Sequence, residues 1–193
     1  MDNNTSFNST IYSYDKTKVG KRIARSTDRS VYKYGENEVI KFSFLVFFVK
    51  KIRNKMLNDY TTCKKYLKDY LVITTDVSNP LRREHIEIQP FIQGEIFSLK
   101  HTKDPKLRIQ LKEIVDISEK IINDGYKEVD LVGHGGMFTL CLSNILVDKQ
   151  GKLNIVDITF LETRSLGFVG YFIAPFIPII KARQKYIINR FLN

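Results

Sequence analysis

The sequence predicts an α+β fold, on three observations. A hairpin with a short glycine-containing loop falls in each half of the chain, at residues 30–42 and 145–156. A strongly periodic helix opening at Pro105 and ending at Gly125 lies between them. The order is several strands with one helix among them, then the long helix, then the second hairpin.

Composition sets the outer bounds. The chain has 193 residues, 43% of them hydrophobic, with 13 Phe and 10 Tyr, so core material is ample and wholesale disorder is excluded. Such a length suits one domain, or one domain with a tail. Cys63 and Cys141 cannot make a disulfide framework, and Met1-Asp2-Asn3-Asn4-Thr5 lacks the basic start and apolar run of a signal peptide. A reducing, cytoplasmic setting is the expectation. The formal charge of +10 asks for an anionic partner, whether nucleic acid, nucleotide phosphates or an acidic membrane face.

Residues 1–18 are polar and rich in Asn, Ser and Thr, and read as a flexible arm. Strand-like pieces begin at Val19. Residues 30–34 and 38–42 flank Gly35-Glu36-Asn37 and form the first hairpin. The apolar run 42–49 either extends that strand or opens the next helix. Residues 50–68 are basic and helical, with Ile52, Met56, Tyr60 and Cys63 on one stripe. Residues 71–75 and 85–89 read as strands, separated by the turn signal Ser78-Asn79-Pro80. In the long helix Pro105 suits the first turn, and Leu107, Leu111, Ile114, Ile117 and Ile121 make the stripe. Residues 130–136 are loop-like. Residues 145–148 and 153–156 then enclose Lys149-Gln150-Gly151-Lys152 as the second hairpin.

The chemistry gathers at that hairpin. Asn144 precedes its first strand and Asp157 ends its second, thirteen positions on. A tight hairpin brings both side chains to one end of the ladder. Hard cations such as Mg2+ are held by one or two such oxygens together with phosphate oxygens. A metal-bound nucleotide is therefore a fitting guest.

This stretch resembles the protein-kinase-like superfamily, including its small-molecule phosphotransferase and lipopolysaccharide-kinase-like branches. Asn144 matches that family's metal-binding Asn, and Asp157 of Asp157-Ile158-Thr159 matches the Asp of its Asp-Phe-Gly motif. Val39-Ile40-Lys41 is similar to its third-strand Val-x-x-Lys pattern, and residues 86–95 look like the hinge between its lobes. The resemblance implies a two-lobed fold with a reduced C-lobe, the N-lobe at about 19–90 and the C-lobe at about 91–165. It implies ATP and Mg2+ as cofactors, with Lys41 on the phosphates, Asn144 and Asp157 on the metal, and the backbones of Gln89 and Phe91 against adenine.

The sequence departs from the family where catalysis is concerned. Thr139 stands five residues before Asn144, where the family has its catalytic Asp, and threonine cannot serve as that carboxylate. Asp130 lies further upstream beside Gly133, His134 and Gly135-Gly136, and two readings stand for it: a rebuilt loop that presents Asp130 or His134 to the site, or a structural residue that ends a strand or caps a turn. Residues 24–29 contain no glycine to cover phosphates. Arg25, Ser26, Thr27 and Arg29 either serve phosphate there or are ordinary surface residues. The helix after Lys41 offers no Glu to pair with it, and Asp59 is the nearest acidic candidate. Only 36 residues follow Asp157, too few for the substrate platform of a full kinase.

Residues 166–193 form an apolar-basic tail. Its first part, 166–180, carries no charge, is shorter than the ~20 residues of a spanning helix and contains Pro175 and Pro178. Lys181, Arg183, Lys185 and Arg190 follow. The tail either rests on an anionic membrane face or packs on the C-lobe in place of missing helices. The basic residues of 50–68 read as a solvated helix face; no nucleic-acid motif accompanies them, and no nucleic acid is expected as a partner. His134, with Cys141 as its only soft neighbour, reads as a loop residue. The expected function is nucleotide binding with ATP-dependent phosphoryl transfer to a small molecule or lipid head group. The alternative is a catalytically weak pseudokinase serving as a membrane-proximal module, cytoplasmic and peripheral on the inner membrane face.

Overall fold

In a computed structural model, the structure describes residues 14–25, 29–43, 50–79, 84–133, 139–162 and 174–193. Helix and sheet are mixed, as the element order implies. The strands are β1 (Val19–Arg25), β2 (Arg29–Tyr34), β3 (Glu38–Ser43), β4 (Thr75–Asp76), β5 (His85–Pro90), β6 (Gly94–Ser98), β7 (Cys141–Asp148) and β8 (Leu153–Ile155). The helices are α1 (Lys50–Tyr66), α2 (Pro105–Asn123) and α3 (Ile177–Leu192).

Two antiparallel sheets result. The first has the order β1-β2-β3-β5-β4, the second β6-β7-β8. Residues 91–93 carry the chain from one to the other. The crossing is tight: a Cβ at Gly94 would stand 2.2 Å from the Val147 carbonyl oxygen, so only glycine fits.

Alternation divides the first sheet's faces. Ile40, Ile86 and Tyr34 turn to a small apolar cluster completed by Val77, with Tyr14, Tyr32, Phe42 and Ile88 packed against it. On β3 and β5, the odd-numbered Lys41, Ser43, His85, Glu87 and Gln89 are also buried, on the other face. Residues 14–18, read as part of a flexible arm, pack on this sheet: the Tyr14 ring meets Phe42 edge-on at 5.8 Å, and the Asp15 N–H donates to the Tyr34 hydroxyl at 2.9 Å. A polar composition does not preclude order where one aromatic side chain finds an apolar patch.

The larger core lies against the second sheet. It joins Phe97, Leu142, Ile145, Leu153 and Ile155 to Cys63 and Leu67 at the end of α1, to Leu107, Leu111, Ile114 and Ile121 of α2, and to Ile187 and Phe191 of α3. α2 begins as expected, with Asp104 accepting from the Lys106 N–H and Pro105 in the first turn. Its stripe includes Ser118, whose hydroxyl donates to the Ile114 carbonyl at 2.8 Å.

Four expectations shift. Residues 71–75 are not one strand: Leu71 bridges Ile155 in parallel, Val72 N–H donates to the Ile155 carbonyl, and only Thr75 and Asp76 pair with β5. The segment divides its hydrogen bonds between the two sheets, which no periodicity reveals. Asn144 lies within β7 rather than before it. The 50–68 basic face is not wholly solvated, because Lys55 is buried against Asp59 and Arg53 pairs with Asp76 at 2.7 Å. Gly94 and Glu95, read as the end of the hinge, open β6. The stretches 44–49, 80–83 and 163–173 lie outside the described residues, as do Ser26, Thr27, His134, Gly135 and Gly136.

Candidate functional site

Where the buried polar face of the first sheet meets the end of β8, five ionisable groups come together. Lys41 on β3 is opposite Glu87 on β5 in the ladder, and its Nζ donates to the Val156 carbonyl, one residue before Asp157. Arg29 opens β2; its Nη1 lies 2.6 Å from Asp157 Oδ1 and 3.7 Å from Glu87 Oε2. His85, wholly buried two residues before Glu87, holds Glu87 Oε1 through Nε2 at 2.8 Å. Burial, the strongest influence on Glu87, pushes its carboxyl up. The His85 hydrogen bond and the charges of Arg29, His85 and Lys41 outweigh it and bring it down to about 2.

On the other side stands a loop led by Asp130. Its backbone is pinned by three bonds: Asp130 N–H to the Thr159 carbonyl at 2.9 Å, Asn144 Nδ2 to the Asp130 carbonyl at 2.9 Å, and Gly133 N–H to Asp130 Oδ1 at 2.9 Å. Gly133 has φ +60° and a Cβ there would stand 2.3 Å from Asn144 Oδ1, so glycine is required twice over. Burial pushes the Asp130 carboxyl up to about 6, and the nearby Asp157 carboxylate adds to it, against the Gly133 and Val132 N–H groups.

Lys41, Asp130, Asn144 and Asp157 are therefore neighbours around one junction, and the Val156 N–H donating to the Asn144 carbonyl at 2.9 Å ties the hairpin end together. Asp130 caps the turn at Gly133, the structural role open to it, while its carboxyl also lies close enough to feel Asp157. Gln89 is buried, and its side-chain oxygen accepts from the Thr74 hydroxyl at 3.3 Å. The Phe91 N–H donates to the Asn37 carbonyl at 2.8 Å and so is committed inside the protein rather than offered to a base. Thr139 lies apart: its hydroxyl is 3.0 Å from Cys141 Sγ and its carbonyl accepts from Arg183 at 3.2 Å.

Two expectations are corrected. Arg29 is not a surface residue, being 8% exposed. Asp59 does not serve Lys41; it pairs with Lys55 and accepts from the Thr159 hydroxyl at 3.0 Å and the Phe160 N–H at 2.9 Å, fastening α1 to the segment after Asp157. The sequence signal for the missed residues was the strand His85-Ile86-Glu87-Ile88-Gln89, whose polar alternates opposite Ile86 and Ile88 mark a second buried face.

The donor chemistry suits a hard cation only in part. Asn144 and Asp157 supply oxygens, yet Asp157 Oδ1 is taken by Arg29, and among the described residues no group of three His, Cys, Asp or Glu is placed to hold a metal. The void between Arg29, Glu87, Thr74 and Asp157 measures about 10 Å³, room for one water.

No model of a known protein family matches this chain, and no curated protein does. Among solved structures it is similar to a mutant of the PknI kinase domain from Mycobacterium tuberculosis, with TM-score 0.48 and 8% sequence identity, over 72% of this chain and 57% of that one. The chain thus spans a little over half the length of that kinase domain, and a likeness at this level transfers neither mechanism nor substrate.

Proposed function

We propose that the chain is an atypical nucleotide-binding protein of two-lobed, kinase-like design with a reduced C-lobe, transferring a phosphoryl group from ATP to a small molecule or lipid head group. The observation that carries the reading is the convergence of Lys41, Asp130, Asn144 and Asp157 from separate elements on one junction. Phosphoryl transfer needs a cation for the phosphates, oxygen ligands for Mg2+ and a carboxylate to accept the acceptor's proton. In this reading Lys41 binds phosphate, Asn144 and Asp157 hold Mg2+, and Asp130, with its carboxyl near neutrality, takes the proton that Thr139 cannot. Bound Mg2+ would neutralise phosphate charge; Gln89 would border the base through its side chain.

One observation favours a second reading, a catalytically weak pseudokinase acting as a membrane-proximal interaction module. The Arg29 guanidinium already pairs with Asp157 Oδ1 and lines the small void beside it. A cation built into the protein makes a bound metal dispensable there.

Thermal-shift measurements with ATP, with and without Mg2+, test both. Stabilisation that needs Mg2+, is lost in Asp157→Ala and is larger in Arg29→Ala supports the first reading. Stabilisation by ATP alone, without turnover, supports the second. No shift for any nucleotide with either protein rejects both.

A further inference from the structure

We infer that the outward face of α3 docks on an anionic lipid surface. The helix has two sides with different commitments. Inward, Gln184, Ile187 and Phe191 are buried, and the Phe97 and Phe191 rings meet at 5.5 Å. Outward, Phe176, Ile179 and Tyr186 stand 57%, 55% and 55% exposed, three large apolar groups gathered on one helix face. Arg183 and Arg190 interleave with them at helical spacing, so residues 176, 179, 183, 186 and 190 share one face. Lys185 is exposed at the other edge of the helix's solvent side, about 100° round from Tyr186.

Charge complementarity selects the occupant. Residues 174–193 contain Lys181, Arg183, Lys185 and Arg190 and no acidic residue. Lys181 is engaged by Glu128 at 3.3 Å, and Arg183 lies over the Tyr186 ring at 5.5 Å while reaching the Thr139 carbonyl. Lys185 and Arg190 remain on the exposed side with the apolar groups. Aromatic and aliphatic side chains among cations, on a helix already anchored from behind, is the pattern of an interfacial helix lying in the headgroup plane. Sixteen residues make about 24 Å of helix, and among the described residues no helix is long and apolar enough to cross a membrane. The helix lies on the surface. A nucleic acid would match the cations but leave Phe176 and Ile179 unused.

The same helix reaches the candidate site. Gln184, next to Arg183, accepts from the Leu131 and Val132 N–H groups immediately after Asp130. A docked α3 therefore holds the Asp130 loop at a fixed height above the bilayer. This surface stands whether or not the junction binds nucleotide.

Co-sedimentation of the full chain with phosphatidylglycerol vesicles and with phosphatidylcholine vesicles tests it. Expected are preferential binding to the anionic vesicles, at least about thirtyfold weaker binding for the pair Lys185→Glu and Arg190→Glu, and at least about tenfold weaker binding for Phe176→Ser with Ile179→Ser. All four positions are exposed, so thermal melts of both variants should match the parent. Equal binding to the two lipids, or indifference to either pair, overturns the inference. So does binding to a polynucleotide that is tighter than to the vesicles and is lost with the charge pair alone. These readouts are independent of the ATP shift.

Discussion

Glu87 and Asp130 are two buried carboxyl groups pushed in opposite directions, and their effects on stability oppose each other. The folded-state value of Glu87 is about 2 against an ordinary 4.5, so its charged form stabilises the fold above about pH 4.5 and that contribution is lost as pH falls toward 2. Asp130 sits near 6 against an ordinary 3.8, so its ionisation costs stability above pH 6, and the cost is gone below 3.8. Between pH 7 and about 4.5 these two groups together make the protein more stable on acidification, and below that less so. Urea midpoints across pH should show the rise in the parent and lose it in Asp130→Asn, the difference amounting to about 3 kcal/mol at most. Arg29→Ala leaves Glu87 without one of its cations in a buried site, and a loss of about 3 kcal/mol is expected from urea unfolding at pH 7. A change under about 0.5 kcal/mol would mean that Lys41 and His85 hold Glu87 unaided.

Among the elements, α3 does the most with the least sequence advertisement. Gln184, 3% exposed, uses all its polar capacity on one stretch of loop: its Nε2 donates to Glu128 and to the Val129 carbonyl at 2.9 Å each, and its oxygen accepts from Leu131 and Val132 at 2.8 and 3.3 Å. Gln184→Leu keeps the volume and strands those backbone groups. The expected cost is about 2–4 kcal/mol. Amide exchange at Leu131 and Val132 should accelerate well beyond that of α2, and uniform acceleration across the chain would argue against a local clamp. Elements with local signals were easier to foresee. The hairpin around Gly35-Glu36-Asn37 follows from alternation and a turn glycine, and α2 from its stripe, its Pro105 and its cap. The segment 71–75 defeated the same approach because it serves two sheets in five residues.

For the whole molecule, residues 174–193 are not an appendage. Ile187 and Phe191 are 0% and 1% exposed and complete the core over the second sheet. Truncation before Ala174 removes both, together with the Gln184 clamp, a loss of at least about 5 kcal/mol when each buried side chain contributes roughly 1.5–3. That approaches the whole stability of an ordinary domain. Near-UV circular dichroism and the cooperative unfolding transition should both disappear; a truncated chain that melts sharply within a few degrees of the parent would show that α3 is dispensable.

The sequence by itself determined the α+β class, both hairpins, α2 and the chemical character of Asn144, Asp157 and Lys41, because those depend on local periodicity, turn residues and side-chain type. Tertiary structure alone decided that Arg29, distant in the chain, lies against Asp157, that Asp59 reaches Thr159 rather than Lys41, and that Asp130 stands beside Asn144. Arg29 and Asp157 stand 128 positions apart in the chain and Asp59 and Thr159 stand 100 apart. The partner of a buried charge is chosen by which groups share its low-dielectric surroundings after folding, and spacing along the chain carries no record of it.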